Sequence, residues 1–213
     1  MSRYTDSKTK LSRRVGRNLF NKGARSFSAK DSFSKHPYKA GQHGLVRGKP
    51  PRTKLSEYGK QLTEKQALKF SYGLGEKQLL NLFRKAFTTV GDTGIFVLTS
   101  LERRMDSVVY KAGLANSRSQ ARQLVNHGHF LLNGKKANIC SQMVKKDDVI
   151  SIKPSKNASP FWTNFTIQVP VTIPSWLEVK ANQIKVLNMP LIEDLPQEFK
   201  LPQIVEYYSK NGA

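Results

Sequence analysis

Residues 101 to 136 read LERRMDSVVY KAGLANSRSQ ARQLVNHGHF LLNGKK, and this stretch decides the fold. Leu101, Met105, Val108, Val109 and Ala112 recur at offsets of four, three, one and three, so they share one face of a helix that Gly113 is placed to end. Asn116-Ser117 offers an N-cap for a second helix, Arg118 to about His127, with Ala121, Leu124 and Val125 inward and Arg118 and Arg122 together on another side. Phe130-Leu131-Leu132, Asn133-Gly134 and Lys135-Lys136 then predict two antiparallel strands, because Asn-Gly accepts the positive backbone angles of a tight hairpin turn. Lys145 to Asp148 turns into a further strand, Val149 to Lys153. The whole is an α+β module with its core over residues 101–153.

Working outward, the charge is uneven. The chain has 213 residues with 36 Lys and Arg against 15 Asp and Glu, a formal net charge of +21. Residues 1–54 hold 15 basic and 2 acidic residues, 55–98 hold 6 and 4, 99–153 hold 10 and 4, and 154–213 hold 5 and 5. A surplus this large is costly in self-repulsion unless a polyanion neutralises it, and nucleic acid is the obvious one. No stretch is long and apolar enough to span a membrane, and no apolar signal core follows Met1-Ser2-Arg3-Tyr4, so a soluble, non-secreted protein is expected. A lone Cys140 allows neither an internal disulfide nor a cysteine cluster, and a small buried side chain near a strand is its simplest reading.

The flanks organise around the module. Residues 1–54, rich in Ser, Lys, Arg and Gly with little sustained apolar period, predict a basic extended arm that orders on its partner. Gln61 to Leu68 reads as helix, and Leu79, Leu80, Leu82, Phe83 and Phe87 after Gly73 and Gly75 as another, giving a small all-α domain over 55–98. Gly91-Asp92-Thr93-Gly94 breaks the chain before the module. The neutral tail, with Pro154, Pro160, Pro170 and Pro174, is expected to pack against the rest, residues 195–213 completing the helical domain and 99–194 forming the α+β nucleic-acid-binding domain. There is no internal repeat.

With Glu102-Arg103-Arg104-Met105-Asp106, Ser117-Arg118, Ala121-Arg122-Gln123-Leu124-Val125 and His127-Gly128-His129, the module resembles the RNA-binding module of the bacterial small-subunit ribosomal protein S-four family. Several RNA-modifying enzymes share that module, and the flanks decide between them. Pro37-Tyr38, Gly41-Gln42-His43-Gly44, Ser56-Glu57-Tyr58-Gly59, Tyr72-Gly73, Gly91-Asp92-Thr93-Gly94, Pro174-Ser175-Trp176-Leu177-Glu178, Asp194-Leu195-Pro196 and Ile204-Val205-Glu206-Tyr207-Tyr208-Ser209 all look like the ribosomal protein, so the resemblance covers nearly the whole chain. It implies a structural protein that binds small-subunit (16S) rRNA early, nucleates assembly of the subunit body, touches small-subunit protein five in a contact affecting accuracy, and lines the messenger entry path with protein three. Many bacterial members hold zinc with four cysteines in the arm. The matching places here are Thr9, Ser12, Ser26 and Asp31, so the resemblance carries over neither zinc nor any other cofactor, and a mobile arm is expected in the free protein.

The expected RNA-binding residues follow from charge, motif and resemblance. Arg103, Arg104, Arg118 and Arg122 have guanidinium forks suited to phosphate oxygens, with Ser117 and Gln123 beside them. Asn133, Lys135 and Lys136 at the hairpin tip are placed to track a minor groove. His127 and His129 have no third ligand nearby and are taken as capping or RNA contacts, not metal ligands. Tyr38, Gly41, Gln42, His43 and Gly44 combine a ring for stacking with glycines for close approach. Arg3, Tyr4, Arg13, Arg14 and Lys54 in the arm, and Tyr58, Gln61, Lys65, Gln66 and Tyr72 in the helical domain, complete the set.

Enzymatic readings fare poorly. A pseudouridine synthase needs a catalytic aspartate and a base-holding domain; the only superficial match, Arg104-Met105-Asp106, lies inside the module's own helix and leaves no room for that domain. A methyltransferase needs a glycine-rich turn after a strand, whereas Gly73-Leu74-Gly75 lies between helices. A free-standing RNA-binding stress factor or repressor is the remaining alternative, distinguishable because it would leave intact small subunits on sedimentation. The expected setting is the cytoplasmic small ribosomal subunit, an organellar one being the alternative, with no membrane and no small-molecule substrate.

Overall fold

In a computed structural model the described residues are 4, 6–20, 22–42, 44–45, 55–166, 172–180 and 183–210. They form an α+β protein that divides into two compact units, Met1–Val97 with Pro196–Ala213, and Leu98–Leu195.

The first unit is helical. Its elements are α1 (Lys8–Val15), α2 (Ser32–Lys35), α3 (Glu57–Ser71), α4 (Glu76–Thr88) and the first half of α5 (Thr93–Glu102), with α10 (Leu201–Lys210) returning from the C-terminal end. Two of the starts have a local cause. Ser56 Oγ accepts from Gly59 N at 3.2 Å at the head of α3, and Asp92 Oδ1 accepts from Ile95 N at 2.8 Å at the head of α5. Leu79, Phe83 and Ala86 on α4 and Ile204 and Tyr208 on α10 are buried, and the Phe83 and Tyr208 rings stack with centroids 4.3 Å apart. The arm carries more regular structure than its sparse apolar spacing suggested: α1, a 3₁₀ turn over Gly23–Phe27 and α2, with Leu11 and Leu19 buried and α1 packed on α3.

The second unit is the module and its extension. Beyond the second half of α5 it holds α6 (Met105–Lys111), α7 (Arg118–Asn126), β1 (Phe130–Leu132), β2 (Lys135–Ala137), β3 (Val149–Ile152), the short helices α8 (Pro154–Asn157) and α9 (Pro160–Thr163), β4 (Leu177–Lys180) and β5 (Gln183–Val186). The sheet is antiparallel with order β2-β1-β3-β5-β4. Its buried face sets Phe130, Ala137, Ile150, Ile152, Leu177, Ile184 and Val186 against Met105, Val108, Val109, Ala121, Leu124 and Val125 from α6 and α7. Cys140 and Trp176 lie in the same core.

Two expectations are corrected. The single helix through Leu101 to Ala112 is two helices: Arg104 is extended (φ −66°, ψ 141°) and bridges to Met143. The groups freed at the break are taken up by the Cys140–Val144 loop, with Met105 N donating to Gln142 O at 2.9 Å and Val144 N to Arg103 O at 2.9 Å. The tail is also more than packing, since β4 and β5 add two strands to the module's sheet, paired Leu177 with Val186 through Lys180 with Gln183. Their alternation, with Ile184 and Val186 buried and Gln183 and Lys185 exposed, was the overlooked signal.

Candidate nucleic-acid interface

The hairpin behaves as its turn residues dictate. Asn133 (φ 50°) and Gly134 (φ 77°) both take positive angles, and Phe130 pairs with Ala137 across the turn. The Asn133 amide is occupied: Nδ2 donates to Asp148 Oδ1 at 2.8 Å and Oδ1 accepts from Val149 N at 2.9 Å, locking the turn to the start of β3. Lys135 and Lys136 beside it are exposed.

On α7, Ser117 Oγ caps Gln120 N at 3.2 Å, and Gln120 Oε1 accepts from Asn116 N at 2.8 Å. Ser117 is therefore a helix cap in this fold. Arg118 and Arg122 are half-buried, four residues apart, and Gln123 is exposed. Arg118 is held in place: its guanidinium lies 4.9 Å over the Tyr110 ring and 3.6 Å from Glu102, a carboxylate with 0% exposure that also faces Lys111 at 3.4 Å. Sequence reasoning missed Glu102 and Tyr110 as organisers of the ridge, because their roles arise from folding rather than from any local motif. No Asp or Glu occurs between Asp106 and Asp147, so α7 and the β1–β2 hairpin contribute cations and no carboxylates of their own, with Asp148 meeting Asn133 at the turn from just before β3.

Arg103 and Arg104 do not join this ridge alike. Arg103 is half-buried and donates from Nε to Val144 O at 3.1 Å. Arg104 is buried and clamps Asp106 through two hydrogen bonds of 3.1 and 2.9 Å, so its fork is already filled by a carboxylate. His127 is exposed. His129 is half-buried, and its Nδ1 accepts from Trp162 Nε1 at 3.0 Å. Burial, Lys156 and His127 together hold its pKa below the ordinary histidine value.

In the first unit the arm loop is built around Arg13, whose Nε donates to Tyr38 O at 2.8 Å and whose guanidinium lies 4.9 Å over the Tyr38 ring. Gly44 is buried so close to Lys39 O that an added Cβ would stand 2.1 Å from it, so only glycine fits. Gly41, Gln42, Arg14, Tyr4 and Tyr58 are exposed, and Gln66 is half-buried. Arg3, His43 and Lys54 lie outside the described residues.

Three of the expected contact residues in this unit are buried. Gln61, Lys65 and Tyr72 are 6%, 3% and 4% exposed. Lys65 donates to Glu76 at 2.6 Å and sits 4.8 Å over the Tyr207 ring. Glu76 also accepts from Lys69 at 2.8 Å and from the Tyr208 hydroxyl at 3.1 Å. Burial raises the Glu76 carboxyl, but the hydrogen bonds from Lys65 and Lys69 outweigh it and hold the group below its usual range. These cations tie α3 to α4 and α10.

The four arm positions matching a cysteine set do not fit zinc. They offer three hydroxyls and one carboxylate, without a thiolate or an imidazole. Ser12 Oγ and Ser26 Oγ accept from Leu19 N and Lys22 N at 3.4 and 3.1 Å, and Asp31 caps α2 by accepting from Phe33 N at 2.9 Å. Among the described residues no cluster of three His, Cys, Asp or Glu is placed to hold a metal, and no helix is long and apolar enough to cross a membrane.

Comparison with known proteins gives this surface its context. Residues 3–102 match the ribosomal protein S4/S9 N-terminal domain, and residues 103–150 match the S4 domain. The chain is similar to the small ribosomal subunit protein uS4 of Syntrophomonas wolfei, 46% identical over 99% of this chain and 100% of that protein. The proteins of the same name from Clostridium tetani and Solidesulfovibrio magneticus are 43% and 41% identical, again over 99% of this chain and 100% of theirs. Identity sustained from end to end, together with a cationic α7 and hairpin in the S4 domain, shows that the chain belongs to the small ribosomal subunit protein uS4 family, structural RNA-binding proteins of the small subunit and not enzymes.

Proposed function

We propose that the chain binds small-subunit rRNA through the α7 ridge and the β1–β2 hairpin, with the basic arm as a second contact, and that this binding nucleates assembly of the subunit body. The observation that carries the reading is the run free of carboxylates from Ser107 to Lys146, which presents Arg118, Arg122, Lys135 and Lys136 on one module. Guanidinium forks and ammonium groups neutralise phosphates, while the helix and hairpin fix where they stand. The arm contributes affinity, because neutralising phosphates releases the counterions condensed on the RNA.

Arg118→Glu combined with Arg122→Glu is expected to weaken binding to small-subunit rRNA by at least about tenfold, measured by filter binding at fixed salt. Unchanged affinity would refute the ridge. Residence in the subunit is tested by sedimentation: the chain stays with small subunits through a high-salt wash, whereas a free-standing factor leaves them intact behind it. The resemblance further supports contacts with small-subunit proteins five and three, a share in translational accuracy, a place by the messenger entry path and a cytoplasmic setting. Crosslinking in cells, with the attached RNA and proteins identified, tests all of these.

A further inference from the structure

One cluster is left unused by the ridge. α9 and the residues just after it carry Phe161, Trp162 and Phe165 against the turn His127-Gly128-His129. Trp162 faces inward, edge-on to Phe130 at 5.8 Å and hydrogen-bonded to His129, and so closes the end of the module's core. Phe161 adds little to that closure. It is 36% exposed, standing edge to face with Trp162 at 5.1 Å and with His129 at 6.2 Å, and Phe165 lies beside it at 5.5 Å.

The surroundings are cationic. The Lys136 chain crosses Gly128, with Cε 3.3 Å from where a Cβ would be, and the Lys156 charge acts on His129. No Asp or Glu occurs from Val149 to Leu177. With Nδ1 accepting from Trp162, a neutral His129 carries its proton on Nε2, a donor that needs no charge. Aromatic rings against a turn that Lys136 and Lys156 also approach, in a stretch of sequence without carboxylates, suit nucleotides whose bases are unstacked, a base finding a ring and a phosphate a cation.

Resting on the RNA-binding reading above, we propose that Phe161, supported by Trp162, Phe165 and His129, is a stacking platform for unpaired RNA bases, so that the module holds a single-stranded segment beside the structured RNA gripped by α7 and the hairpin.

The test uses the full chain with two probes, an oligouridylate and an RNA duplex carrying the same number of phosphates. Trp162 reports directly, because Trp176 is buried and the Trp162→Phe variant supplies its background. Oligouridylate is expected to quench Trp162 fluorescence and the duplex to leave it unchanged. Phe161→Leu should lower oligouridylate affinity about tenfold with duplex affinity intact, and Phe161→Trp should restore it. Absence of quenching by oligouridylate overturns the platform even if Phe161→Leu fails to fold, and leaves the rings to a protein partner. Equal loss on both RNAs, or none on either, also overturns it. A wild-type chain that binds neither probe sinks the RNA-binding reading itself, whereas one that binds the duplex without any Trp162 response sinks only the platform.

Discussion

Glu102 is a carboxylate with no exposure, facing two cations, Lys111 at 3.4 Å and Arg118 at 3.6 Å. Removing one partner of a buried ion pair leaves the others uncompensated, at a cost of roughly 3–5 kcal/mol. Because Lys111 and Arg118 keep some contact with solvent, Glu102→Gln is expected toward the lower end, about 3 kcal/mol, visible as a fall in the urea midpoint. His129 makes a prediction with pH. Its folded pKa lies below the ordinary 6.5 because burial, Lys156 and His127 all oppose the charge. The unfolded chain therefore binds the proton more readily, and the stability this site contributes is full above 6.5 and lost as pH falls toward the folded value. Urea titrations roughly one pH unit either side of 6.5 should show a drop on the acid side that His129→Gln reduces.

At the scale of elements, α7 and the hairpin were legible before folding was considered. Ala121, Leu124 and Val125 have helical spacing, and Asn133-Gly134 specifies its turn through backbone angles alone. The cap is local as well, so Ser117→Ala should cost about 1 kcal/mol in chemical denaturation, while a phosphate-contact role would show instead as lost RNA affinity at unchanged stability. The break between α5 and α6 was not legible. Leu101 to Ala112 keeps a helical period throughout, and the interruption at Arg104 is stabilised by backbone groups of Gln142 and Val144, about forty residues away.

For the molecule as a whole, binding should be steeply salt-dependent. If the arm and module neutralise roughly 6 to 10 phosphates, rRNA affinity should fall on the order of 10³ to 10⁵ fold between about 50 and 200 mM salt, by the calibration from duplex DNA. A shallow slope in a salt titration would mean that the arm's charge is not spent on phosphate. The charge total is a fact of composition, but its use is not. Arg104 and Lys65 are as cationic as Arg122 and Lys135, yet Asp106 and Glu76 hold the first two inside the fold.

What the sequence by itself determined was the class of each local segment and the class of partner. Helical period, the Asn-Gly turn and net charge depend on neighbours along the chain or on composition, and so they survive without coordinates. Only the tertiary structure decided which cations reach solvent, where α5 gives way to α6, how β4 and β5 extend the sheet, and that Phe161 stands against His129 and Trp162. Burial, ion pairing and strand order depend on segments far apart in sequence meeting in space, and no short-range pattern encodes those meetings.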